Sequence, residues 1–459
     1  MDAPSLVSAW EAFLVQLSCV FTKPSARIWR QIALGWILHR GPATVTGMFR
    51  TLGDLADRHW TVYEKFFYRA AWSLQDLSIR LLVHVVYPLI QQSGLIDEAT
   101  GKPVVNLAID DTTVGRCGKH VAHAGWFKDA SASGSSHRGT VIHWAHNWIV
   151  GAVTLRLKGW PLIRWTLPVI FALYRKPSDC GAGHPFRIRQ VLAAQMVRTV
   201  AKALPDVQLR AAVDGQYATG QFLDDVPETT NVVSRLRRDA ALYELPPMHR
   251  RAGQRGRAPK KGKRLPSPAE MAKRRRNGWK TIPVQQQGRS TKRRVLGITC
   301  LGYHVRRDVP IRLVIVRDPK GVQPDDFLFC TDAGVPEAQI VQRFVDRWGV
   351  EEAIFEAKQH LGFESTRGWC SKTVNRQAPL AMILLTLVKA WYASAAHTDP
   401  TLLPQATPWY ARKKRSSFLD MLSALRSVLW RHRITGKSPC SQRVHRIIQT
   451  MAYVLFAAA

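Results

Sequence analysis

Apolar positions recur at three- and four-residue intervals through most of residues 1–95, interrupted at KPS (23–25), HRGPAT (39–44) and LGD (52–54). That period marks amphipathic helix, and the Gly and Pro clusters mark turns. A small all-helical region is predicted there. From 103 the period changes. PVVNLAIDDTTV is a continuous apolar run of strand type closing on two aspartates and two threonines, and VQLRAAVDGQYATG (207–220) is a second. Each delivers an aspartate where the chain is expected to leave the sheet, the edge at which α/β folds hold ligands and metals. Strand patterns return at RVLGITCLGYHV (294–305) and PIRLVIVRD (310–318), and helices dominate from about 336. YARKKRSSFLDMLSALRSVLWRHRITGK (410–437) reads as an amphipathic helix with basic flanks.

One helical stretch carries an unusual concentration of acids. In FVDRWGVEEAIFEAKQHLG (344–362), Phe344, Arg347, Glu351, Phe355 and Lys358 fall on one face at 3.6 residues per turn. Glu352 and Glu356 fall off it. A plain surface ladder of ion pairs has the same spacing, so periodicity alone leaves the role of Glu351 open.

Charge changes the picture. The 459 residues hold 66 Lys and Arg against 33 Asp and Glu, a net charge of +33 and a pI near 10.5. Such a field draws nucleic acid or an anionic surface. The length suits several domains of about 150 residues each, and 46% apolar with 22% charged residues is an ordinary globular mix. Residues 250–294 carry 17 Lys and Arg and one acid, Glu270, which predicts an extended or mobile basic loop that orders on phosphate. The seven cysteines are scattered singly and read as reduced, buried thiols of a cytosolic chain. The opening residues lack the basic start of a secretory signal. Of two apolar runs, LIRWTLPVIFAL (162–173) is short, and PLAMILLTLVKAWYASAA (379–396) contains Lys389. The second is expected to be a core helix, with no membrane partner.

Phe344-x2-Arg347-x3-Glu351-x6-Lys358 resembles the Tyr-x2-Arg-x3-Glu-x6-Lys signature of bacterial insertion-sequence transposases of the DDE superfamily. LAIDDTT resembles their first-aspartate strand and AAVDGQYATGQF the second. The likeness spans roughly 100–395. It departs from the signature at Phe344, where tyrosine is usual. It implies an α/β fold with an RNase H-like catalytic core carrying a β-containing basic insertion, preceded by an all-helical N-terminal domain and followed by C-terminal helices. The expected divisions are 1–95 (helical, DNA-binding), 96–234 (first part of the core), 235–335 (basic insertion), 336–398 (glutamate helix and the next helix) and 399–459 (C-terminal helices).

The resemblance also implies a cut-and-paste DNA transposase in which Asp110, Asp214 and Glu351 hold two Mg²⁺ ions, with Mn²⁺ as a substitute. An Asp-x-Thr pattern fits both Asp110 and Asp111. The first is favoured, with Asp111 the alternative. Arg347 and Lys358 would hold backbone phosphates, and Lys260, Lys261, Arg274, Arg275, Arg276 and Trp279 would contribute to DNA binding from the basic segment. Trp279 offers either a stacking face for a displaced base or packing for its own loop. The implied partners are double-stranded DNA, as terminal inverted repeats and target, and a second copy of the chain. The implied location is the bacterial cytoplasm, at the nucleoid. A Mg²⁺-dependent nuclease of the same fold and a non-catalytic DNA-binding derivative are the alternatives. His143 and His146 have ligand-like i, i+3 spacing if helical, with no third ligand in view.

Overall fold

A computed structural model describes residues 3–129, 133, 139–247, 259–286, 288–303, 305–395, 399–404, 413 and 415–435. Six helices come first: α1 (Ala3–Ser18), α2 (Lys23–Leu38), α3 (Val45–Leu52), α4 (Trp60–Tyr68), α5 (Leu74–Arg80) and α6 (Tyr87–Ser93). Strands β1 (Val104–Gly115), β2 (Gly125–Lys128), β3 (Ile142–Leu155) and β4 (Trp165–Tyr174) follow. Then come α7 (Arg189–Ala203), β5 (Gln208–Val213), α8 (Gly220–Leu223) and β6 (Asn231–Arg235). The inserted segment holds β7 (Leu242–Tyr243), β8 (Arg264–Leu265), α9 (Pro268–Arg274), β9 (Lys280–Gln286), β10 (Arg289–Cys300), β11 (Ile311–Arg317) and β12 (Asp326–Cys330). Helices α10 (Glu337–Leu361), α11 (Ser371–Ala395) and α12 (Phe418–Thr435) complete it.

The main sheet runs β2-β3-β1-β5-β6-β12-β11-β10-β9, with β4 also paired to β3. β1 lies antiparallel to β3 and parallel to β5, and β5 lies parallel to β6. This mixed α/β arrangement is consistent with an RNase H-like core. The inserted strands lengthen the core sheet, because β12 pairs with β6 through Leu328↔Arg235 and Cys330↔Val233. Two apolar clusters result. The larger runs from Leu6 on α1 through β1 and α11 to Leu429 on α12, so the first helices share their core with the last. The smaller lies under β9–β12 and includes Val284, Val314 and Ile340. Helix α10 spans both, with Phe344 in the smaller and Ala353 in the larger.

Several expectations are corrected. β1 extends past the aspartates to Gly115, held by β3. Only its parallel pairing ends there, at Ile109↔Val213. The basic segment is more ordered than its composition suggests, apart from 250–258 and 287, which lie outside the described residues. Ser267 and Glu270 close a capping box around Pro268, which starts α9, and Lys280–Gln286 pairs with Arg289–Val295 as a hairpin. His143 and His146 lie on β3 rather than on a helix, so they point to opposite faces. Each is otherwise engaged, His143 with Asp129 at 3.4 Å and His146 with Arg116 at 2.9 Å. The last helix starts at Phe418, because the Ser417 hydroxyl and Asp420 carboxylate cap it there; residues 410–412, 414 and 436–459 lie outside the described residues. Cys19 and Cys117 are exposed rather than buried. LIRWTLPVIFAL forms β4 from Trp165 onward.

Helix α11 is long and apolar enough to cross a membrane, yet 94% of its apolar window is buried inside the protein. Its Lys389 reaches the Glu356 carboxylate on α10 and the Thr166 carbonyl at 3.3 Å. Removing one partner of such a pair strands the other's charge. Lys389→Ala is expected to cost about 3 kcal/mol in urea unfolding, and Lys389→Met with Glu356→Leu to recover most of it.

Candidate active site

Side chains alternate across β1, and the alternation separates the adjacent aspartates. Asp111 turns toward α7, where Asn147 (3.0 Å), Arg189 (3.3 Å) and Gln216 donate to its carboxylate. Asp110 turns toward α10. One of its oxygens accepts from the Arg347 guanidinium and the other from the Asp111 backbone N–H at 2.9 Å. Arg347 is almost wholly buried, 3% exposed, and also meets Glu351 one turn on at 3.1 Å. A single guanidinium therefore joins two carboxylates from different elements.

Asp214 is the first residue beyond β5. Since Ile109 pairs with Val213 in parallel register, Asp214 follows at the level of Asp110 on the neighbouring strand. Its carbonyl accepts from the Ser234 hydroxyl and the Tyr217 N–H, both at 3.0 Å, which fixes the turn. Among the described residues no three His, Cys, Asp or Glu side chains gather as a ready-made metal cage. Asp110 and Glu351 share the Arg347 guanidinium; Asp214 follows β5, the strand beside β1.

The three glutamates of α10 have separate partners. Glu352 pairs with Arg164 at 2.7 Å and Glu356 with Lys389. Glu351, 39% exposed, has Arg347 as its one ion-pair partner among the described residues and opens onto a cavity of about 710 Å³ between α10 and the start of α12, flanked by exposed Trp348 and Phe355. Phe344 packs as a buried ring with the Arg235 and Arg347 guanidinium groups each 5.3 Å from its centre. Lys358 donates to the Thr113 carbonyl at 2.9 Å and pairs with Glu364 at 2.6 Å, fastening α10 to the end of β1.

The DNA-binding expectations fare unevenly in this geometry. Arg347 is buried against carboxylates rather than presented to phosphate. Lys260 pairs with Asp308 at 3.1 Å, Lys261 lies over the rings of Tyr243 and Tyr303, and Arg274 approaches Glu270 at 3.8 Å. Arg275 and Arg276 are exposed. Trp279 packs its own loop: its N–H caps α9 at the Arg275 carbonyl, and Arg317 stacks on its ring at 4.4 Å.

The periodicity gave no sign of Asn147, Arg189 and Gln216, which hold Asp111 away from Glu351. Tyr217 was also missed. It is fully buried, and burial first, then Asp111 and Asp110, push its phenol well above the ordinary tyrosine range. A lone Lys389 in an apolar helix was the one available signal for the partner of Glu356.

Burial is the main force on Asp110, with Glu351 and Asp111 adding to it and Arg347 opposing. Together they push its carboxyl from 3.8 up to about 7. The candidate metal donors here are carboxylate oxygens, the kind that hard divalent cations prefer.

The model of the DDE superfamily endonuclease matches residues 16–296, more than half of the chain. The chain belongs to the DDE superfamily endonuclease family. No curated protein matches it. The matched range contains Asp110, Asp111 and Asp214 and ends before α10. Membership makes this DDE endonuclease an enzyme of the nuclease and transposase type. DNA is the substrate class it implies, and divalent metal the general requirement of the family.

The raised carboxyl of Asp110 gives a stability test. The native state holds that proton more tightly than the unfolded chain does, so stability falls as pH rises from 3.8 to about 7. In chelator, denaturant unfolding across that range is expected to show this slope, and Asp110→Asn to flatten it.

Proposed function

We propose that this chain is a DNA transposase that cuts and joins element ends by two-metal phosphodiester transfer, with Asp110, Asp214 and Glu351 as the metal ligands. The observation that carries the reading is the convergence of Asp110 and Glu351 on one buried cation, Arg347. Two carboxylates from separate elements, one of them held partly protonated by its surroundings, have the character of a site built for more positive charge than the protein supplies. Divalent ions bound there would activate the attacking oxygen and stabilise the leaving one.

The chain's own groups do the rest. Asp110 would have to be unprotonated to hold such an ion. Arg347, which pairs with both carboxylates, would be freed toward a DNA phosphate if bound ions took over that pairing, as its place in the signature implies. Lys358 holds α10 to β1 so that Glu351 keeps its distance from Asp110. Water attack at the element end frees a 3′-hydroxyl, and that hydroxyl then attacks target DNA. The surplus of 33 positive charges supplies the attraction for both duplexes. The protein acts as a dimer, one copy for each end, in the bacterial cytoplasm. A nuclease of the same fold would share the first step and lack the second.

The decisive assay is cleavage and joining of labelled DNA bearing the element's own ends, with Mg²⁺ or Mn²⁺. Asp110→Asn, Asp214→Asn and Glu351→Gln are expected to lower both steps by at least 100-fold while DNA binding persists; Glu352→Gln and Asp111→Asn should keep measurable activity. Full activity in Glu351→Gln would falsify the assignment, and cutting without joining would favour the nuclease. Cation binding should strengthen as pH rises toward about 7, because Asp110 must lose its proton to coordinate. Mn²⁺ titration at pH 6 and pH 8 measures it.

A further inference from the structure

Beyond the carboxylates, toward the β2 edge of the sheet, side-chain alternation sets out a second surface. Trp126 on β2 pairs with Trp144 on β3, and Asp110 on β1 with Val150 on β3. Two-residue steps from Val150 to Trp144 therefore put Trp126, Lys128, Trp144 and His146 on the face that holds Asp110 and α10. The chain between β1 and β2 folds back over that face and is tied to the link between α10 and α11. Arg116 donates from Nε to His146 Nδ1 at 2.9 Å, so the other ring nitrogen carries the hydrogen and donates to the Ala122 carbonyl, also at 2.9 Å. The Arg116 Nη1 donates to the Glu364 and Thr366 carbonyls at 3.0 and 3.1 Å. The Trp144 ring N–H donates to the Gly118 carbonyl at 3.2 Å, and the Ala122 N–H to the Trp369 carbonyl at 2.8 Å.

This ledge carries the two most exposed tryptophans among the described residues, Trp126 at 57% and Trp369 at 68%. They are near neighbours. Ala122, bonded to Trp369, lies four positions before Trp126, at most about 14 Å of chain, and a turn from Val121 to Ala124 shortens the path. Lys119, Lys128, Arg367 and Lys372 are exposed on the same segments. The acids there are already engaged, Asp129 with His143, Asp179 with His123, and Glu364 with Lys358. The four cations are left without an ion pair among the described residues. Lys358 lies two turns beyond Glu351, about 10 Å along α10, and joins Thr113 on β1, three residues before Arg116. The ledge thus begins where the glutamate helix ends.

We propose that this ledge binds an unpaired DNA strand, with bases stacked on Trp126 and Trp369 and phosphates held by Lys119, Lys128, Arg367 and Lys372. Aromatic faces set among unpaired cations match both parts of such a strand, its bases and its backbone. A duplex would use the cations alone, since its base faces are covered by their neighbours. The bonds of Arg116 and His146 hold both tryptophans' segments in place before a ligand arrives, so the ordering cost falls on the strand. The proposal deepens the DNA-cleaving reading of the carboxylate site and rests on it for the identity of the polymer.

The test is binding in chelator, where nothing is cut, so its failure and that of the cleavage assay are separate results. Anisotropy of a labelled oligo-dT is compared with that of an abasic strand of equal length, which keeps the phosphates and lacks the bases. Wild type is expected to bind oligo-dT roughly tenfold more tightly or better, the scale of one or two stacked bases. Trp126→Ala with Trp369→Ala should abolish that preference, and Trp369→Phe, which keeps a stacking face, should retain most of it. Both rings are exposed, so these variants should melt with wild type. Lys119→Gln with Lys372→Gln should weaken both strands alike and lower the salt slope by about 1.4. A wild type that does not distinguish the strands, a preference that survives loss of both rings, an equal loss in Trp369→Phe and Trp369→Ala, or an unchanged salt slope overturns the proposal. So does an equal loss of duplex binding in the double tryptophan variant, which assigns the ledge to paired DNA. Loss of self-association in that variant, with no strand preference in wild type, overturns it in favour of a second copy of the chain.

Discussion

A single buried guanidinium organises the candidate site. Arg347 meets Asp110 from the sheet and Glu351 from its own helix, and Phe344 lies against its face. An arginine this deep is tolerable only because carboxylates surround it, and those carboxylates are tolerable only because it is there. Their interdependence sets how α10 lies on the sheet. Lys358 to Thr113 and Lys389 to Glu356 repeat the arrangement farther along, each placing a lysine where a helix would otherwise leave an acid or a carbonyl unmatched. The helix is thereby fixed in rotation as well as in position, which is what allows one of three glutamates, and not its neighbours, to face Asp110.

The division of labour between adjacent acids has the same origin. Asp110 and Asp111 are equivalent in composition and in the Asp-x-Thr pattern. Pleating sends them to opposite faces, where one meets a cation shared with Glu351 and the other a set of amide and guanidinium donors. Their electrostatic surroundings therefore diverge although they are one residue apart.

Much of this was legible in the chain. The helical stripe singled out Glu351, apolar runs located β1 and β5, and the lone charge in an apolar helix argued for a core position of α11. Local spacing could not disclose contacts made by residues far apart in sequence, such as Arg164 with Glu352, 188 positions away. Composition misled in the basic segment, where the Ser267 to Glu270 capping box outweighs the surrounding charge. The histidines of β3 misled for a different reason: a spacing of three carries meaning only once the period of the element is known. Family membership covers both candidate aspartates, whereas the glutamate helix rests on its own pattern and on the geometry around Arg347.

The union of β12 with β6 has a mechanical consequence. The inserted strands join the core through a backbone ladder that runs from β6 through β12, β11 and β10 to β9, so the β9–β10 hairpin is tied to the strand neighbouring β5, which Asp214 follows. A polymer gripped at the hairpin would have its distance to the carboxylates set when the chain folds. Any adjustment would come from bending the polymer, and the elastic compliance of the bound strand would then help decide where along it the chemistry falls.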